Sequence, residues 1–288
     1  MRSVALRAGN VCLWICISIA GSAAMLARAE DGEKPGLAEK TPDSAQRAGT
    51  KPDAQASVVP ARGVRVLEIN GDIRPALVQQ VRNALQDTDA SRHPAGALLL
   101  LNSRGGDGIA AMEIGRIVRA AKAHAFVRGR CASACVFILA GGVVRSAPAE
   151  RGVGIHRPRL TGFVKGLGVV DINPASNPNA VAALDVSNRM SQAFLREMGL
   201  PEALFQAMMA TPSSEMRYLD ATELAELGLS GFDAAYREAR APEAAGRYGL
   251  TEEDFVRRTM LVQGKCAAGK ATPQEFVRCY RRVLEQGE

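Results

Sequence analysis

Apolar and polar positions along the chain change period several times, and each change marks an element. Val64-Arg65-Val66-Leu67-Glu68-Ile69 alternates and stops at Asn70-Gly71, which predicts a strand and a turn. From Ala76 to Leu85, Leu77, Val81 and Leu85 recur at four-residue intervals, one face of a helix. Ala97 to Leu101 is apolar without a break, the pattern of a central strand buried on both faces. Gly105-Gly106 ends that strand, and Ile109 to Ala121 reads as helix. A short strand at Ala125-Phe126-Val127 leads to a helix from about Ser133 to Ala140, and another short strand, Val153-Gly154-Ile155, delivers His156. Strand and helix alternate, so the expected fold class is α/β with a largely parallel sheet.

The second half is mostly helical. Asn177 as N-cap and Pro178 at the first position open a long amphipathic helix carrying Val181, Leu184, Met190, Phe194 and Met198, with Gly199 past its end. Pro201 to Met209 makes a second helix, and Thr222 to Leu227 a third, closed by Gly228. Beyond Phe232 the character changes: Thr251 and Thr272 stand as N-caps with Asp254 and Glu275 three residues on. That predicts a C-terminal helical hairpin over 233–288.

The N-terminal 62 residues carry no such periodicity. Arg2 and Arg7 precede an uncharged stretch from Ala8 to Ala27 and a small-residue pattern at Ala27-Arg28-Ala29, which predicts a signal peptide over 1–29 and export to the periplasm or beyond. The competing expectation is an uncleaved N-terminal membrane anchor, since about 20 apolar residues suffice to span a bilayer. Residues 30–62, rich in Pro, Ala, Lys, Asp and Ser, read as a disordered linker. The rest, 63–232, is long enough for one large domain ahead of the hairpin.

Charge and cysteines narrow the picture further. Loss of residues 1–29 removes three arginines and no acid, so the formal charge falls from +6 to +3. That is too weak for a nucleic-acid footprint, and no basic cluster with interleaved aromatics compensates. No His/Cys spacing supports a metal site, no cofactor is expected, and His93 and His124, flanking strands, are expected to be solvated. Four cysteines remain in the mature chain: Cys131, Cys135, Cys266 and Cys279. A Cys266–Cys279 disulfide would staple the hairpin. Cys131 and Cys135 are expected as small buried thiols packing behind Ser133, the alternative being a bridge across one helical turn.

The chemistry concentrates on Cys131-Ala132-Ser133-Ala134-Cys135, with Asn102-Ser103-Arg104-Gly105-Gly106 upstream and Ile155-His156-Arg157-Pro158 downstream. A serine hydroxyl is a weak nucleophile at neutral pH, so it needs a base for its proton and amide donors for the oxyanion. Glycines at 105 and 106 let backbone approach a carbonyl closely, and Ser133 at a helix start would place amides where negative charge is stabilised. Lys122 and Lys165 are alternative bases, as in a Ser-Lys dyad. Asp107, beside the glycines, would oppose an oxyanion unless a cation such as Arg104 pairs with it.

These pieces, followed by Phe137-Ile138-Leu139-Ala140-Gly141-Gly142, then Arg217-Tyr218-Leu219-x-Ala221-x-Glu223 and Gly228-Leu229, resemble in order the proteolytic subunit of Clp protease and its Clp/crotonase superfamily. The resemblance runs from about Val64 to Phe232 and implies a repeated ββα spiral. By position it implies Ser133 as nucleophile, His156 as general base, and the amides of Gly106 and Ala134 as an oxyanion hole, with Gly105 beside the substrate. It also implies that the edge at Gly162 and Phe163 binds peptide as an added strand. The helix from Pro178 to Met198 would either join copies of the chain into an oligomer or complete the core. Where the family has a triad aspartate this chain has Met216; Glu215 is the nearest substitute, and Asp171, Asp185 or a backbone carbonyl are the alternatives.

The expectation is therefore an exported serine peptidase acting on peptide or protein substrates, without an ATPase partner. The alternative is a non-catalytic peptide-binding or assembly module of the same fold. A crotonase-like acyl-thioester enzyme would leave Ser133 and His156 without a task.

Overall fold

A computed structural model describes residues 54–61, 64–86, 96–164, 168–172, 178–266 and 272–287. The expected signal peptide, most of the linker, and the residues His93, Lys165 and Asn177 lie outside that set. The described elements run β1 (Gln55–Val59), β2 (Arg65–Asn70), α1 (Pro75–Gln86), β3 (Ala97–Ser103), α2 (Gly108–Ala120), β4 (His124–Ala132) and α3 (Cys135–Gly141). There follow β5 (Val144–Ser146), β6 (Val153–Ile155), β7 (Thr161–Val164), β8 (Gly168–Asp171), α4 (Pro178–Glu197), α5 (Glu202–Ala210), β9 (Arg217–Tyr218) and α6 (Ala221–Glu226). Last come β10 (Gly231–Phe232), α7 (Ala234–Gly246), α8 (Glu252–Cys266) and α9 (Pro273–Gln286).

Strands β2, β3, β4 and β5 are parallel neighbours, with β1 antiparallel on one edge and β10 antiparallel on the other. The mixed α/β architecture with a largely parallel sheet is the one the hydrophobic pattern predicts. β1 corrects the linker boundary: residues 55–59 pair with β2 from Gln55↔Asn70 to Val59↔Val66, inside the stretch expected to be disordered. Only Val59 of this strand is buried, so its apolar pattern is too faint to announce a strand.

β3 explains the core. Leu99 and Leu101 point to one side, among α1, α2, α3, α4, α5 and α6, while Leu98 and Leu100 point to the other, where Phe126 meets Phe276 and Tyr280 of α9. Every residue of α3 is buried, so this helix is held from all sides. The C-terminal segment holds α7 as well as the expected hairpin of α8 and α9. Both threonine caps form, and a Cys266–Cys279 disulfide with Cα atoms 5.5 Å apart ties α8 to α9.

His124 is the clearest departure on this side of the sheet. It is buried rather than solvated, with the Tyr236 hydroxyl 3.2 Å from Nε2 and the Tyr280 hydroxyl 3.2 Å from Nδ1. β4 begins one residue earlier than its apolar run, and the C-terminal helices cover that residue. Burial lowers the imidazole pKa from 6.5 to about 4. The folded chain therefore refuses a proton that the unfolded chain accepts below pH 6.5. Its stabilising contribution is complete above that pH and is lost as pH falls toward 4, by on the order of 3 kcal/mol. Urea midpoints followed from pH 7 to pH 4 should fall in the wild type and fall distinctly less in His124→Phe. Parallel curves would sink this assignment.

Candidate active site

The site is built where β4 changes partners. Its first half pairs with β5 and its last residues pair with β6, Cys131↔Val153 and Ala132↔Gly154. Between these halves the β3–β4 register slips, from Leu101↔Val127 to Ser103↔Cys131. Asn102 stabilises the slip: its side-chain oxygen accepts the Arg130 amide at 3.1 Å, and its nitrogen donates to the Asn70 side chain at 2.9 Å. A Cβ at Gly129 would run into the Asn102 side-chain amide, so a larger residue there would have to displace it. The bulge thus carries the end of β4 over to β6.

Ser133 follows that end in a left-handed conformation, φ +55°, which a residue with a Cβ adopts at a cost of about 1 to 2 kcal/mol. Its amide donates to the Gly154 carbonyl at 2.9 Å. The helix begins only at Cys135, two residues later than the sequence predicts, so Ser133 sits on a sharp strand-to-helix turn rather than inside the helix. A disulfide joins Cys131 to Cys135 across this turn, Cα to Cα 5.2 Å. This corrects the expectation of free buried thiols: the left-handed serine shortens the path between strand end and helix start enough for a bridge. Closing a five-residue loop contributes about 2 kcal/mol by chain-entropy reasoning, comparable with the strain at Ser133.

His156, at the end of β6, is buried, and its Nε2 lies 2.7 Å from Ser133 Oγ. Its Nδ1 lies 2.8 Å from the carbonyl oxygen of Arg157. A carbonyl only accepts, so Nδ1 carries the ring proton and Nε2 is left to accept the Ser133 hydroxyl. Pro158 restricts Arg157 to extended backbone, and the Arg157 amide donates to the Thr211 carbonyl at 3.0 Å, so the orienting carbonyl is itself held. Desolvation lowers the His156 pKa below 6.5, the Arg157 hydrogen bond opposes that shift, and nearby Arg159 adds to it. The ring is neutral at neutral pH.

Gly105 packs against the Ser133 turn and Gly106, next to it, against Ile73, at φ +108° and +139°. A Cβ on Gly105 would lie 2.7 Å from Ser133 Cβ and 3.0 Å from the Ala134 amide, and one on Gly106 would lie 2.2 Å from the Ile73 carbonyl oxygen. Gly105 accepts from the Ile73 amide, and its own amide donates to Ser103 Oγ. Among the described residues neither the Gly106 nor the Ala134 amide donates a hydrogen bond. Ser133, by contrast, has spent its amide on Gly154, so the sequence expectation that its own N–H serves an anion does not hold. Asp107 caps α2 through Ala110, which commits the carboxylate expected to oppose an oxyanion.

The remaining candidates are dispersed. Glu215 is exposed in the turn before β9, Asp185 is exposed on α4, and the His156 Nδ1 bond goes to a carbonyl instead. Met216 lies against the strand that delivers His156: a Cβ on Gly154 would meet its sulfur at 2.7 Å. Lys122 is exposed at the far end of α2, before β4, whereas Ser133 follows the other end of that strand. Gly162 and Phe163 lie on β7, which forms an antiparallel hairpin with β8 in register Gly162↔Val170 and Phe163↔Val169. The partner of Nδ1 is thus a backbone carbonyl, one of the alternatives the sequence offers, and the residue that supplies it is Arg157.

Fold and site together define an α/β protein with a serine on a strained turn, a neutral histidine beside it and, among the described residues, two amides without an acceptor in the adjoining backbone. The chain belongs to the Clp protease family, whose family model matches residues 56–229. Membership makes it a peptidase, and hence a hydrolase. No curated protein matches the chain significantly.

Proposed function

We propose that this protein is an exported serine endopeptidase that cleaves peptide bonds through Ser133 and His156. The observation that carries the reading is the 2.7 Å Ser133 Oγ to His156 Nε2 contact with the Nδ1 proton committed to a carbonyl. In this reading Ser133 attacks the scissile carbonyl while His156 takes its proton, and the Gly106 and Ala134 amides receive the oxyanion. The leaving amine takes the proton back from His156, and water then hydrolyses the acyl-enzyme by the same route. Arg157 holds the ring in the needed tautomer, a role that elsewhere falls to an aspartate. Two disulfides favour an oxidising compartment, in keeping with an N-terminal signal peptide. Exposed Val181, Val186 and Met190 on α4 favour self-association.

The test is covalent. A fluorophosphonate probe should leave one adduct on the chain, mapped by mass spectrometry to Ser133; a chain that takes up no adduct there contradicts the peptidase reading and leaves a peptide-binding module of the same fold. Because His156 must be neutral and its pKa is lowered, the acid limb of the labelling rate should have its midpoint below pH 6.5. Glu215→Gln should label at the wild-type rate, within about twofold, since surface changes away from the reacting atoms act weakly. A tenfold or larger loss would instead assign Glu215 to the site.

A further inference from the structure

We infer that the Cys131–Cys135 disulfide is a positioning element for Ser133: it holds the turn that aims the hydroxyl, so the rate of acylation depends on the bridge while the fold does not. The inference rests on the reading of Ser133 as nucleophile. The Ser133 carbonyl accepts the Val136 amide at 3.0 Å, and three other restraints bear on how the turn aims the hydroxyl. The Ser133 amide is tied to Gly154, its hydroxyl to His156, and the residues two before and two after it are joined covalently. The first two are hydrogen bonds that Ser133 itself must keep in order to be aimed. The third is independent of Ser133.

The geometry shows what the bridge prevents. Cys131 is fixed in the sheet between Ser103 of β3 and Val153 of β6, and Cys135 is the first residue of a helix buried along its whole length. A serine at φ +55° gains by relaxing to the right-handed region, which would prolong α3 toward its N-terminus. That relaxation changes the path between residues 131 and 135, and a 5.2 Å Cα–Cα tether resists the change. Without the tether the turn can relax at the expense of the Oγ to Nε2 contact.

Both cysteines are wholly buried, so in the folded chain the bridge is a permanent clamp rather than a switch open to passing thiols. It forms as the chain folds, when two thiols pass two electrons and two protons to a disulfide-class oxidant, which leaves as a dithiol. The chain supplies its own control. Cys266–Cys279 staples α8 to α9 in the second core cluster, on the opposite side of the sheet from α3.

The experiment compares the oxidised full chain with C131A/C135A and with C266A/C279A, bridge status being read by alkylation and mass spectrometry. The maximal rate of fluorophosphonate labelling and the probe's half-saturating concentration are measured well below each thermal midpoint. C131A/C135A is expected to lose about 100-fold in maximal rate with little change in half-saturation and an unmoved acid limb, the signature of a misplaced nucleophile beside an intact base. C266A/C279A is expected to keep its rate within about twofold while its thermal midpoint falls. Equal rates in C131A/C135A and wild type overturn the inference alone. So does failure of both C131A/C135A and the volume-conserving C131V/C135A to fold, which would assign the bridge to the fold. Absence of any Ser133 adduct on the oxidised wild type overturns the nucleophile reading and the inference with it.

Discussion

Replacing His156 by alanine is expected to slow acylation of Ser133 by about 10⁴-fold to 10⁶-fold, and Ser133→Ala/His156→Ala to hydrolyse peptides no more slowly than either single variant. The argument is one of shared function. The 2.7 Å contact makes the two side chains one proton-transfer unit, so losing either loses the whole effect. Among the described residues only His156 hydrogen-bonds the Ser133 hydroxyl, and its Nδ1 proton is committed to Arg157. Residual rate in the variants would come from the Gly106 and Ala134 amides, which need neither side chain. Stability is expected to change little beside catalysis: Ser133→Ala removes a hydroxyl but keeps the Cβ. Its unfolding midpoint should therefore stay near that of the wild type, which separates lost chemistry from lost folding. Multiplicative losses in the double variant would mean that the two residues act independently, against the proposed unit.

Much of this site was legible because its parts are local in sequence. A glycine pair after an apolar strand, a serine between small residues and a histidine after a short strand each announce themselves within five residues. The alternation of strand and helix was legible for the same reason, since the Ala97–Leu101 run and the four-residue spacing of α1 are local patterns. What stayed hidden depends on contacts between distant segments. The left-handed backbone of Ser133 exists because Gly154 of β6 accepts its amide, and the Cys131–Cys135 bridge follows from that turn. His124 looked like a polar flank until α7 and α9 brought Tyr236 and Tyr280 against it. Met216 marks the missing carboxylate and leaves a backbone carbonyl among the alternatives, but a carbonyl has no side chain to read, so which residue supplies it, Arg157, is visible only in the fold.

Gly105→Ala should produce the second large loss, about 10²-fold to 10³-fold in acylation rate, the scale of removing one oxyanion donor. At φ +108° the new Cβ would stand 2.7 Å from Ser133 Cβ, 2.8 Å from the Ala132 carbonyl oxygen and 3.0 Å from the Ala134 amide nitrogen. All three belong to the nucleophile turn, and none is the far end of a flexible side chain. Something must therefore shift. If the glycine segment retreats, it takes Gly106 with it and strains the 2.8 Å bond from the Ile73 amide to Gly105. If the turn retreats, Ser133 leaves His156. Either movement separates the Gly106 and Ala134 amides from the position of the attacked carbonyl, so the rate falls by both routes. Gly96→Ala is the matched control: it too has a positive φ, +81°, but its Cβ would meet nothing within 4 Å. That variant should lose about 1 to 2 kcal/mol of stability from backbone strain and retain the wild-type labelling rate. Equal rate losses in the two variants would trace the Gly105 effect to strain in general; a loss confined to Gly105→Ala traces it to the close approach between the glycine loop and Ser133.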